Sequence, residues 1–210
     1  MASSTMRVLA LLEIAAVWTL IQLFIWRWQY AHPQAVWLIL AVLAASHACR
    51  RESPRALGFR WDNWRQAMTD TAWAAAPFFL VFILIGVLSG RIWDLPLRSE
   101  SVVPALRYTL WGTFQQYGLQ GYFHRRVMGA INSRLWSSVI TALLFMSFHT
   151  PNPVLMVSTL LGGFAFSVLY AYSPNLFVLG AFHGAMGLLL SNVFPRAWLH
   201  NMRVGPGYYG

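Results

Sequence analysis

Residues 111–126 read WGTFQQYGLQGYFHRR and lie inside an apolar stretch of membrane-spanning length. Amide side chains stand here where a lipid-facing helix carries leucine. In an α-helix Gln116, Gln120 and His124 fall at i, i+4 and i+8, one above another on a single face. Thr109 and Thr113 extend that stripe toward the helix start, and Gln115 sits about 100° round from Gln116. Glycines at 112, 118 and 121 allow neighbouring backbones to come close. Amides in hydrocarbon need partners, so this helix must face other protein groups or a polar cavity.

The rest of the chain fits such a setting. Of 210 residues 58% are hydrophobic and only 10% charged, and the mean hydropathy is +0.51. This balance excludes a water-soluble domain and predicts an all-α, polytopic transmembrane helical bundle. All 15 basic residues are arginine and the formal charge is +9. They cluster at the ends of apolar runs, as the positive-inside rule and anionic lipid require, so membrane lipid is the expected partner and nucleic acid is not. Cys49 is the only cysteine, which excludes an intrachain disulfide and a cysteine-based metal site.

Apolar runs at 8–26, 35–48, 71–89, 104–123, 135–148, 154–170 and 176–194 predict about seven spans. Residues 1–100 hold the first helices and the most basic loop, at 49–65. Residues 101–195 hold the helical core, and 196–210, ending in GPGYYG, read as a disordered tail. The first run is too long for a signal-peptide core and contains Glu13, so it reads as a retained helix. Glu13 must face protein or water, with an arginine of a neighbouring helix as one natural partner. Alternation of the spans puts the N-terminus and the Arg-rich loops in the cytoplasm.

Three helices carry polar groups that could share a site: Gln115, Gln116, Gln120 and His124 on one, His149 at the end of the next, and His183 within AFHGAMG. From residue 101 onward there is no Asp and no Glu. A carboxylate base therefore cannot come from that half, and only Glu13 and Asp70 remain as acids within reach. Two histidines on separate helices also permit axial ligation of a membrane haem. The blandest reading is helix-to-helix adhesion, since interhelical amide bonds contribute roughly 0.6 to 2 kcal/mol each.

The sequences QQYGLQ at 115–120, FMSFH at 145–149 and HGAMG at 183–187 come in a telling order. They resemble the CPBP family, the CAAX-protease and bacteriocin-processing (Abi-type) intramembrane proteases, whose signature is EExxxR, then FxxxH, then HxxxN. The resemblance covers about residues 104–191. It implies a CPBP-like core that hydrolyses peptide bonds in the membrane, acting on a hydrophobic or lipidated peptide or a membrane-protein substrate. It puts Gln115 or Gln116 where the water-activating glutamate stands, and Gln120 in place of the arginine. His149 and His183 match the histidines that orient water or bind metal, and Phe145 matches the motif phenylalanine. Gly187 takes the place of the asparagine that polarises the scissile carbonyl, and His124 joins Phe145 and Gly187 as a candidate substrate contact. No resident cofactor is expected, with a divalent metal at His149 and His183 left open. The chain thus departs at both glutamates, the arginine and the asparagine. Two readings follow: a protease whose base is His149, His183 or Glu13, or a non-catalytic pseudoprotease that binds a hydrophobic or lipidated peptide or a partner helix.

Overall fold

The computed structural model describes residues 4–94 and 102–210, and every regular element among them is a helix. In order these are α1 (Ser4–Leu23), α2 (Val36–Cys49), α3 (Trp64–Leu88), α4 (Val102–Gln116), α5 (Arg125–Ile131), α6 (Arg134–Ser147), α7 (Pro153–Tyr172), α8 (Leu176–Val193) and α9 (Arg196–Leu199). A π-helical segment, Tyr117–His124, joins α4 to α5 without a break. The starts of three core helices are written locally. Ser133, Asn152 and Asn175 each accept a hydrogen bond from the backbone N–H three residues on, opening α6, α7 and α8. Pro153 occupies the first turn of α7, where no N–H is needed. Asn132, in the left-handed region, ends α5.

Among the described residues, four helices are long and apolar enough to cross a membrane: Ser4–Trp28, Trp64–Leu88, Pro153–Tyr172 and Leu176–Val193. Large apolar side chains such as Trp73, Leu80, Leu110 and Val157 point outward along the bundle. The chain is an integral membrane protein. The expected count of about seven spans is not confirmed. Helices α2 and α6 have 14 residues each, about 21 Å of helix against a hydrocarbon core of about 30 Å.

Two apolar clusters hold the bundle. One joins α3, α7 and α8 through Phe82, Phe166, Leu179, Met186 and Leu190. The other packs Val17 of α1 and Leu43 of α2 against Tyr122 and Phe123 of the π segment. Connections gather at two ends. At one, Asn175 donates to Arg60 and Asn63, and Arg125 donates to Glu52 and Ala56. At the other, Gly205 donates to Thr150, and the Asn152 amide donates to Leu199 and Arg203. Residues 196–210, expected to be a disordered tail, are therefore short helical turns fastened to the α6–α7 connection. The anchor is Asn152, which is fully buried and satisfies tail carbonyls that a sequence-local view leaves without partners.

Candidate active site

Helices α4 and α8 meet backbone to backbone. A Cβ added at Gly180 would lie 2.5 Å from Thr113 Cα, and one at Gly184 would lie 2.6 Å from Thr109 Cα. From the other side, a Cβ at Gly112 would meet the Gly180 carbonyl oxygen at 2.7 Å. Only glycine fits these positions. Thr109 and Thr113 thus pack in the seam, and Thr113 returns its hydroxyl to the Thr109 carbonyl at 2.8 Å. Gly118 has open space around it, so it needs no close approach.

The seam sets Gln116 opposite His183, with Gln116 Nε2 2.8 Å from His183 Nδ1. With the amide nitrogen facing the ring, Gln116 donates, His183 Nδ1 accepts and His183 carries its proton on Nε2. His149 has the opposite arrangement. Its Nδ1 lies 2.9 Å from the Phe145 carbonyl oxygen, which can only accept, so Nδ1 holds the proton and Nε2 keeps a free lone pair. The Phe145 ring touches both imidazoles, with centroids 4.8 Å from His149 and 5.8 Å from His183. One histidine thus offers an N–H and the other a lone pair, the two groups needed to grip a water molecule or a peptide.

These groups floor a cavity of about 420 Å³. Six of the eight residues singled out from the sequence line it: Gln115, Gln116, Phe145, His149, His183 and Gly187. Gln120 and His124 do not. The π segment separates them from Gln116, because a wider turn rotates each later residue off the α-helical stripe by up to about 100°. His124 instead faces Ser138, at 3.5 Å, and the edge of Tyr170. Gln120 is fully buried, and neither atom of its amide has a partner among the described residues. At Gly187, where the motif asparagine would project, the Tyr108 ring closes the space: an added Cβ would lie 3.3 Å from a ring carbon.

Neither acid considered from the sequence reaches the cavity. Asp70 accepts from Gln66 on the exposed side of α3. Glu13 accepts from Arg50 at 2.7 Å, Arg126 Nε at 3.0 Å and Ser46 at 3.1 Å. Arg126, read from the sequence as a loop-end charge, is only 3% exposed and also donates twice to Glu52. Glu52 further accepts from Arg125 and His47. Burial alone would raise the Glu52 carboxyl, but hydrogen bonds from Arg126 and His47 hold it down at about 2. This network is where the chain keeps its buried charge, away from the cavity.

The donors at the cavity floor are two imidazoles and two amides. Among the described residues no three His, Cys, Asp or Glu side chains come together as metal ligands. Sequence reading missed Arg107, Tyr108, Trp111, Ser158 and Thr159, which also line the cavity. The α-helical spacing of Arg107, Trp111 and Gln115 was the available signal.

Searches of curated proteins and of solved structures return no match to this chain. Residues 72–189, more than half of the sequence, match the family described as Type II CAAX prenyl endopeptidase Rce1-like. The match begins in α3, earlier than the motifs alone suggested, and takes in all three motif stretches. By that coverage, the chain belongs to the Type II CAAX prenyl endopeptidase Rce1-like family.

Proposed function

We propose that the protein is an intramembrane endopeptidase in which histidine replaces the family's glutamate base. The observation that carries this reading is the complementary state of His149 and His183 on the floor of one cavity. In the proposed reaction a water oxygen attacks the scissile carbonyl carbon while His149 Nε2 takes the water proton. His149 then passes that proton to the leaving amine nitrogen as the C–N bond breaks, and the carboxylic acid so formed gives its remaining proton to the amine, leaving a carboxylate and an ammonium. His183 Nε2–H and the Gln115 amide are the available donors for the developing oxyanion. The substrate is a hydrophobic or lipidated peptide, in keeping with the apolar walls.

A second reading, a pseudoprotease that binds without cutting, is favoured by the neutral amides at 115 and 116. One experiment separates the two. New peptide termini are read by mass spectrometry in membranes carrying wild type, His149→Ala, or a form with Gln115→Glu, Gln116→Glu and Gln120→Arg. The protease reading expects wild type to generate termini and His149→Ala to lose them by about 100-fold or more. Cleavage confined to the restored form would establish the binding reading instead.

A further inference from the structure

One end of the cavity is closed by the last residues of the sequence. Met202 and Val204 line it, while its other lining residues belong to α3, α4, α6, α7, α8 and the α6–α7 connection. The Tyr108 hydroxyl donates to the Met202 sulfur at 3.5 Å and holds that side chain at the wall.

The backbone that carries Met202 is strained. His200, Asn201 and Met202 follow one another at φ of 47°, 52° and 58°, and none is glycine. In this left-handed region Cβ crowds the following carbonyl oxygen, so residues other than glycine visit it singly and not three in a row. Such strain persists only where the surroundings impose it. Here both flanks are clamped. The Asn152 amide donates to the Leu199 carbonyl on one side at 2.8 Å and to the Arg203 carbonyl on the other at 3.1 Å. Further on, the Gln29 amide donates to the Val204 carbonyl at 3.2 Å, and the Gly205 N–H donates to Thr150 at 2.8 Å. Asn152 is fully buried, whereas Asn201 between its two bonds is exposed. A strained segment held at its flanks has two arrangements, one clamped and one relaxed.

We propose that residues 200–204 are a strap that gates this end of the cavity. Held by Asn152, it keeps Met202 and Val204 in the wall. Released, its three left-handed residues relax to ordinary dihedrals and both side chains leave the cavity. The inference concerns access alone and stands whether the cavity cuts a peptide or only binds one.

The test changes the strain without touching a clamp or a cavity residue. Asn201→Gly removes the left-handed penalty and favours the closed strap, and Asn201→Val raises the penalty and favours release. Access is read in the full-length, detergent-solubilised protein carrying Cys49→Ser, as the rate at which a methanethiosulfonate reagent modifies a Ser158→Cys reporter in the cavity wall. A second reporter, Ser137→Cys, is fully buried near the start of α6 and responds only to loosening of the whole bundle. The Ser158→Cys rate should fall about 2-fold or more with Asn201→Gly and rise about 10-fold or more with Asn201→Val, in proportion to the open population. The Ser137→Cys rate should stay unchanged. Equal Ser158→Cys rates in all three forms overturn the gate, as does a parallel rise at both reporters. If Asn201→Val does not fold, the Asn201→Gly arm decides alone.

Discussion

Gln120 shows most clearly how a single residue departs from its motif. An amide with four hydrogen-bonding positions sits fully buried with no partner at either atom among the described residues, and each unmet group costs about 1 to 3 kcal/mol. Gln120→Met keeps the length and removes the orphaned groups. It should stabilise the detergent-solubilised protein by about 1 kcal/mol, seen as a raised thermal midpoint. A lowered midpoint would show that the amide is satisfied in the membrane. Gly187 is the complementary case: the missing asparagine leaves no hole, because Tyr108 has closed over it. Restoring the motif one residue at a time would therefore meet the Tyr108 ring.

At the scale of elements, the α4–α8 seam decides whether the site exists. Gly184→Ala would push a methyl group against Thr109 backbone atoms, and such overpacking costs about 1 to 3 kcal/mol. Loss of the Gln116–His183 hydrogen bond should accompany it. Gly118→Ala is the control, since nothing lies within 4 Å of its position, and it should unfold at or above the wild-type temperature. The seam was partly legible in the sequence. Gly112 announced small-residue packing, and the caps at Ser133, Asn152 and Asn175 are local signals. The π segment was not legible, since one extra residue per turn leaves no periodic trace over eight residues, and it removed Gln120 and His124 from the cavity. Nor was the Glu13–Arg126–Glu52 network, whose partners lie 113 and 74 residues apart. Glu13 advertised that it needed a partner, but only the fold could say which arginine.

Over the whole molecule, the ion pairs of the described residues gather around Glu13, Glu52 and Asp62, and this predicts acid sensitivity, while the Arg-rich loop beside them carries an expectation of orientation. The Glu52 carboxyl lies at about 2 in the folded protein against an ordinary 4.5. Its contribution to stability is complete above about pH 4.5 and lost as pH falls toward 2. Thermal midpoints should drop between those values, and Glu52→Gln should be less stable at neutral pH while showing a shallower acid dependence. If the two proteins respond identically to acid, the network does not govern that transition. Cys49, exposed and the only cysteine, lies next to the Arg-rich loop. The positive-inside rule expects that end in the cytoplasm, and on that expectation a membrane-impermeant maleimide should label Cys49 only after the cells are permeabilised. Labelling of intact cells would reverse the orientation.

The glycine seam also has a consequence for divergence among relatives. Because α4 and α8 touch through backbone, the spacing between the amide on one and the imidazole on the other is set without reference to any variable side chain. The α7 wall, with Ser158, Thr159 and Gly162 facing the same space, carries no such restriction. Substitutions there can reshape what the cavity accepts while the reacting groups stay in register. A lineage can thus change its diet without rebuilding its teeth.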